Sequence, residues 1–268
     1  MGDKTLIWLA TAVITLSSLM YQWRTSPSYP VRGNIPLAGK TVSYRFPTTW
    51  HTGEDAKIVF PAIGDGWTAQ LEYRRYKSRD AWQSHPMHLE GDYWVGYLPH
   101  QPAAGKIMYT VSLHQDSGQT QSVVDAPVIL RYKGRIPLAI LLPHILLMFT
   151  SMLLSTRTGI EALVEGPGAR QLAAWTLGLL VAGGLVMGPL VQKYAFDAYW
   201  TGWPFGHDLT DNKTLAAVLG WALALWKSRS ASSSSRKWFL FAAVLHLVVY
   251  LIPHSVLGSE IDYTQLPS

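Results

Sequence analysis

Cysteine is absent from this chain of 268 residues. Its absence excludes disulfides, thiolate zinc sites, cysteine-ligated iron–sulfur clusters and covalently attached haem. Several catalytic motifs are missing as well, among them Gly-x-Ser-x-Gly, His-Glu-x-x-His and phosphate-cradling glycine loops. Nucleophilic catalysis is therefore unsupported, and any domain outside the cytoplasm has to be held together by its own apolar core.

Apolar segments are the main feature of what is present. Each is close to the roughly 17–25 residues that cross the hydrocarbon core of a bilayer. The segments are Leu6 to Tyr21, Ile136 to Leu154, Leu172 to Val191, Leu209 to Trp226 and Trp238 to Ile252. Between the first two lies a polar insert of about 110 residues, the size of an ordinary domain.

Lys and Arg in the short loops predict the orientation, because such loops resist translocation. They cluster after the second and fourth segments, as Arg157, Arg170, Lys227, Arg229, Arg236 and Lys237. Both loops are therefore expected inside, which predicts a multi-pass protein of the inner or plasma membrane. The N-terminus is then cytoplasmic, while the insert and the C-terminus are extracytoplasmic.

The N-terminal segment has two interpretations, an uncleaved anchor or a cleaved signal peptide. Met20 to Trp23 lack the small-residue pattern of a cleavage site and supply interfacial aromatic side chains, which favours the anchor. The net charge of +5 points to no nucleic-acid partner, since much of the excess lies in the inner loops. The predicted partners are the lipid bilayer and other membrane proteins.

Short alternating runs with turn residues between them predict an antiparallel β-sandwich for the insert. The runs are Lys40 to Phe46, Ala56 to Phe60, Thr68 to Tyr76, Tyr93 to Leu98, Lys106 to Leu113 and Gln121 to Tyr132. The stretch Tyr97 to Val111 resembles a strand, turn and strand pattern of bacterial immunoglobulin-like and fibronectin type III-like domains. This resemblance covers about the second half of the insert and implies a binding or spacer module.

The predicted fold class is thus mixed: a polytopic α-helical membrane protein of about five transmembrane helices with an inserted extracytoplasmic β-sandwich. The predicted division is 1–31 for the N-terminal anchor and linker, 32–134 for the sandwich, and 135–268 for a four-helix transmembrane domain. Within the third segment, Gly184 and Gly188 have the small-xxx-small spacing that allows close helix packing.

The predicted outer loop before the fourth segment is dense in residues that bind or cap. Its candidate interaction residues are Trp200, Trp203, Phe205, Asn212 and Lys213. One interpretation is structural: the aromatic side chains sit in the interfacial belt, and Asp208 or Thr210 caps the following helix. The other is that the loop contacts a partner.

Ionisable residues near the outer side form a second candidate site, because such residues are costly in a membrane and commonly functional. A divalent metal would use imidazoles and carboxylates, and haem b would lie between His144 and His246. The candidate residues are His144, His207, His246, His254, Asp208, Asp211, Glu260 and Asp262. In the structural alternative, an imidazole N–H binds a backbone carbonyl of a neighbouring helix.

Two functions follow from these features. The first is a binding or accessory subunit of a membrane complex, more consistent with a non-enzyme, whose β-domain recognises a partner outside the cytoplasm. The second is a metal- or haem b-dependent redox or hydrolytic protein that uses the outer histidines and carboxylates.

The orientation can be tested by cysteine labelling, since the native chain contains no thiol. A cysteine introduced at Ser117 should react with an impermeant reagent in intact cells, whereas one at Ser233 should react only after lysis. The reverse labelling pattern would contradict the orientation that the loop charges predict.

Overall fold

A computed structural model of the chain describes residues 2–37, 39–229, 234–254, 258 and 260–265. The chain forms two compact units: Met1–Pro27 with Ile136–Gly258, and Ser28–Arg135 with Ser259–Ser268. The C-terminal residues thus group with the β-rich unit, whereas the sequence division placed them with the transmembrane domain.

The helical unit begins with α1 and continues after the insert. Its elements are α1 (Gly2–Thr25), α2 (Leu138–Leu163), α3 (Ala169–Leu180), a π-helical segment (Val181–Met187), α4 (Gly188–Phe196), α5 (Leu209–Lys227) and α6 (Ser234–Leu251). Helix α2 packs against α1, α3, the π segment and α6, and α5 packs against α3 and α6. Ser232 and Ser233 of the predicted inner loop lie outside the described residues.

Three helices of the described chain are long and apolar enough to cross a membrane: Lys4–Thr25, Leu138–Leu163 and Ala169–Phe196. The third is the continuous helix formed by α3, the π segment and α4. Helices α5 and α6, predicted from the sequence as the fourth and fifth spans, do not reach that measure of length and composition. Asp211 and Lys213 lie near the start of α5, and Arg236 and Lys237 near the start of α6. On composition alone the structure supports three spans rather than five.

Helix α1 buries polar side chains and exposes apolar ones, which reverses the pattern of a helix on a water-soluble protein. In α1 the buried polar residues are Thr11, Thr15, Ser18 and Gln22. The exposed apolar residues of the same helix include Leu6, Leu9, Val13, Leu16 and Met20. This arrangement suits a surface in contact with lipid.

The β-rich unit contains short strands joined mainly by tight turns. They are β1 (Val31–Leu37), β2 (Lys40–Phe46), β3 (Thr49–His51), β4 (Ala56–Pro61), β5 (Trp67–Arg75), β6 (Gln83–Pro86), β7 (His88–Glu90), β8 (Tyr93–Leu98), β9 (Lys106–Gln115), β10 (Thr120–Ser122) and β11 (Val128–Lys133). Five of the predicted runs match β2, β4, β5, β8 and β9 closely. The sixth run is wrong as one strand, because β10 and β11 are separate.

These strands form three sheets within the described residues. One is the β1–β2 hairpin, the second has the order β3-β11-β9-β5-β6 with β10 on β9, and the third has the order β4-β8-β7. The pairings are antiparallel except that of β3 with β11.

One apolar core serves all three sheets. Phe46 of the hairpin lies 6.4 Å from Phe60 of the β4 sheet and 5.9 Å from Tyr109 of the β9 sheet, measured between ring centroids. The Tyr109 hydroxyl donates to the carbonyl of Pro47 at 2.9 Å. Phe46 therefore joins the hairpin to both larger sheets.

Replacing Phe46 with alanine should leave a cavity where the three sheets meet. The expected loss is about 3–5 kcal/mol of unfolding free energy, typical of a buried Phe-to-Ala change. This loss can be measured by unfolding the full chain with urea in detergent. Protease cleavage of the β-rich unit detects the unfolded fraction. Arg45→Ala is the matched control, because Arg45 is exposed on the same strand; equal loss in both variants would contradict the assignment.

Candidate functional site

The loop between α4 and α5 is fixed by side chains from the first turn of α5. One Asp211 carboxylate oxygen accepts backbone N–H bonds from Thr201 at 2.7 Å and Gly202 at 2.9 Å. The side-chain oxygen of Asn212 accepts from the Trp203 N–H at 2.7 Å. Three consecutive backbone amides are therefore held by two adjacent side chains.

Further contacts close this loop on itself. Asp208 caps α5 by accepting from the Thr210 N–H at 2.8 Å, as the sequence predicts. Gln192 of α4 donates to the Thr201 hydroxyl at 2.6 Å. A β-carbon at Gly202 would collide with Asp211 and Asn212, so a side chain at that position would displace the carboxylate from the loop.

The loop presents aromatic side chains at its tip. Trp203 is 68% exposed and Phe205 is 82% exposed. The other three predicted interaction residues have internal roles. Trp200 donates its indole N–H to the Trp203 carbonyl, Asn212 binds the loop backbone, and Lys213 is buried.

Lys213 belongs to a polar cluster inside the helical unit. Its ammonium donates to the carbonyl of Ile252 just beyond α6. His254 interacts electrostatically with Lys213, His144 and Asp208. A cavity of about 20 Å³ borders this cluster and is lined by Lys213, His246 and His254, together with Gln22 and Tyr250.

The two histidines proposed as haem ligands both make hydrogen bonds within the helical unit. His144 shares a hydrogen bond of 2.9 Å between its Nδ1 atom and the carbonyl of Gly183, in the π segment. His246 accepts at Nδ1 from the indole N–H of Trp221 at 3.1 Å and is 2% exposed. The His144 contact is of the kind that the structural alternative expects, an imidazole N–H on a backbone carbonyl. The His246 contact differs, because its imidazole accepts from an indole.

The two glycines of the predicted packing ridge lie at helix contacts. A β-carbon at Gly184 would lie 2.6 Å from a methyl carbon of Thr214, so the π segment and α5 approach closely there. A β-carbon at Gly188 would lie 3.9 Å from the His144 ring.

The remaining candidates lie elsewhere. His207 is exposed on the loop, whereas Glu260 and Asp262 belong to the β-rich unit. Among the residues that the structure describes, no three His, Asp or Glu side chains are grouped to hold a metal ion.

Glu260 and its neighbours fasten the C-terminal segment to the β-rich unit. Burial alone would raise the pKa of Glu260. Its ion pairs with Lys106 and Lys77 outweigh that effect, so the net pKa is lowered and the carboxylate stays ionised. The Tyr263 hydroxyl donates to the Gln101 side chain at 3.0 Å, and its ring lies 4.5 Å from the Arg75 guanidinium. Asp262 accepts two bonds from Thr264, which lower its pKa.

Several residues of these sites escaped sequence reasoning. Trp221 and Tyr250 lie in apolar segments and pass for ordinary membrane residues there. Gln22 and Gln192 carried a usable signal, since an amide next to an apolar run needs a partner inside the protein.

Asp211→Asn should loosen the loop, because an uncharged amide accepts backbone N–H bonds more weakly than a carboxylate does. Bonds to charged groups contribute about 1.5–3 kcal/mol, so local opening should increase about 10- to 100-fold. Chymotryptic cleavage after Trp203 and Phe205 in detergent measures that opening. Asp197→Asn is the control, since its side chain is 80% exposed and pairs with Lys193; equal cleavage of both variants would contradict the role of Asp211.

No known protein family matches this chain, and no curated protein shows significant similarity to it. Its function is therefore inferred from its own residues and their contacts.

Proposed function

We propose that this chain is an integral membrane protein that acts as a binding or accessory subunit of a membrane complex. Its β-rich unit recognises a partner outside the cytoplasm, and its helices anchor that unit in the inner or plasma membrane. The observation that carries the proposal is an exposed, preorganised tyrosine surface on a β-rich unit that is joined to lipid-compatible helices.

The proposal includes five membrane spans. Helices α5 and α6 do not qualify as spans by length and composition, but the burial of their side chains supports them. In α5, Asp211, Lys213 and Thr214 are buried, whereas Leu219 is 59% exposed. In α6, His246 is buried, whereas Val248 is 52% exposed. Both helices therefore bury polar side chains beside an apolar core and expose large apolar ones, an outer surface that is favourable in lipid and unfavourable in water.

An immunoglobulin-like or fibronectin type III-like sandwich is the proposed form of the β-rich unit. The six-stranded and three-stranded sheets contribute residues to the same core. Strands β6 and β7 are separated by the single residue Met87 and pair in different sheets, so the chain passes from one sheet to the other there. In packed sheets, corners form where a strand bends and switches from one sheet to the other.

The proposed binding surface lies on the three-stranded sheet and consists of Lys57, His88, Glu90, Tyr93 and Tyr97, here called the tyrosine face. Tyr93 is 49% exposed and Tyr97 is 46% exposed, four residues apart on one side of β8. Tyrosine is enriched in protein interfaces, where it combines a large apolar ring with a hydrogen-bonding hydroxyl.

Contacts within the tyrosine face hold it in one arrangement before a partner binds. His88 stacks on Tyr97 with ring centroids 5.9 Å apart. Glu90 pairs with Lys57 at 2.7 Å and with His88 at 2.8 Å. A surface already ordered in this way loses less side-chain entropy on binding.

The alternative of a metal- or haem b-dependent redox or hydrolytic protein stays a prediction. His144 and His246 share a helical unit, but the described contacts give each of them a hydrogen-bonding partner within the protein. No contact among the described residues favours that alternative over a structural role.

Replacing Tyr93 and Tyr97 together with serine should release the chain from its complex. Truncating central aromatic residues commonly costs about 2 kcal/mol or more, so we expect affinity to fall by at least about 30-fold. Native electrophoresis of mildly solubilised membranes would show the chain moving from a large assembly to the mass of the free protein.

Trp82→Ser is the control, because Trp82 is an exposed aromatic residue of the same unit outside the tyrosine face. It should leave the assembly intact. A double tyrosine variant that migrates with the wild type, or a wild type that migrates as a free chain, would refute the proposed function.

A further inference from the structure

The cavity inside the helical unit is small, and a few polar side chains reach its mainly apolar lining. Its volume is about 20 Å³, and its lining combines Lys213, His246 and Tyr250 with apolar Met148 and Leu180. A space of roughly 10–15 Å³ or more holds one species of the size of a water molecule when several polar groups face it.

The lining includes one hydroxyl without a partner and an imidazole N–H. Tyr250 is 5% exposed, and its buried hydroxyl has no hydrogen-bond partner within the described part of the chain. His246 accepts at Nδ1 from Trp221, so its neutral ring carries the proton on Nε2. Gln22 already donates its amide N–H to the Tyr250 carbonyl at 2.9 Å.

Lys213 adds a positive charge to this lining. It is 6% exposed and donates to the Ile252 carbonyl, which occupies one of the three donors of an ammonium group. Its described contacts include no ion pair with a carboxylate; Asp208 attracts it from a longer distance. Asp211, two residues away, is occupied by the loop amides.

A buried ammonium without a close counter-charge is costly, and a bound anion would offset that cost. Water would suit the cavity by size, but it is neutral and cannot supply the missing charge. A small anion would supply that charge and would accept from the unpaired hydroxyl.

We propose that this cavity binds one small inorganic anion of the size of chloride, held by the Lys213 ammonium and the Tyr250 hydroxyl. The bound anion neutralises Lys213 and joins α5 to α6. This site is separate from partner recognition, since the tyrosine face belongs to the other unit.

The test uses the full-length chain in detergent with sodium chloride, sodium bromide or sodium gluconate at equal ionic strength. Chloride and bromide should raise the thermal midpoint, whereas gluconate is too large for the cavity and should not. Lys213→Met should weaken the apparent affinity for chloride at least tenfold. Tyr250→Phe keeps the ring and should weaken it less.

Lys227→Met is the matched control, because Lys227 is an exposed lysine of the same helix; it should keep the wild-type response to chloride. Crystals soaked in bromide should show an anomalous peak between Lys213 and Tyr250. Equal midpoints in chloride and gluconate, or an unchanged chloride response in both cavity variants, would overturn the proposal and leave a water in the cavity. If Lys213→Met does not fold, Tyr250→Phe and the bromide peak decide.

Discussion

The helical unit depends on hydrogen bonds from buried side chains to backbone carbonyls of neighbouring helices. Gln22 joins α1 to α6 through the Tyr250 carbonyl, and Ser151 joins α2 to α3 through that of Thr176 at 3.0 Å. His144 joins α2 to the π segment in the same way. Lipid is as apolar as a leucine side chain, so apolar contact alone gives helices in a membrane little reason to associate. Polar contacts of this kind, together with the apolar core and the close packing at Gly184, hold the helices as neighbours.

Periodicity predicted much of the fold because most elements bury one side. Strands β2, β4 and β5 alternate between more buried and more exposed residues, which is the signal that sequence reasoning detects. Strands β6 and β7 gave no such signal, since nearly all of their residues are exposed. Gly33 and Pro36 concealed β1, because both residues are typical of turns. The break between β10 and β11 was signalled by Pro127, which the long alternating run obscured.

The sites were predicted less well than the fold, since their geometry depends on where helices face one another. Asp208 was recognisable as a cap from its position before an apolar run. The direction of Lys213 was not, because an outer loop rich in charges predicts a solvent-facing ammonium, whereas the turn of α5 carries it inward. Sequence proximity also suggested that Glu260 and Asp262 would join the histidines, although their contacts lie with Lys106, Lys77 and Thr264. The partner of His246 is an indole 25 positions earlier, a contact that only tertiary structure reveals.

The C-terminal segment makes the β-rich unit discontinuous along the chain. Ile261 donates its N–H to the Ala104 carbonyl, Glu260 pairs with Lys106, and Tyr263 covers Arg75. During synthesis, residues 28–135 leave the ribosome before α2 and the later helical elements exist, but these last contacts form only after α6 has been made. The β-rich unit is therefore completed last. Its contacts with residues 260–263 can form only after every helix before them has been synthesised.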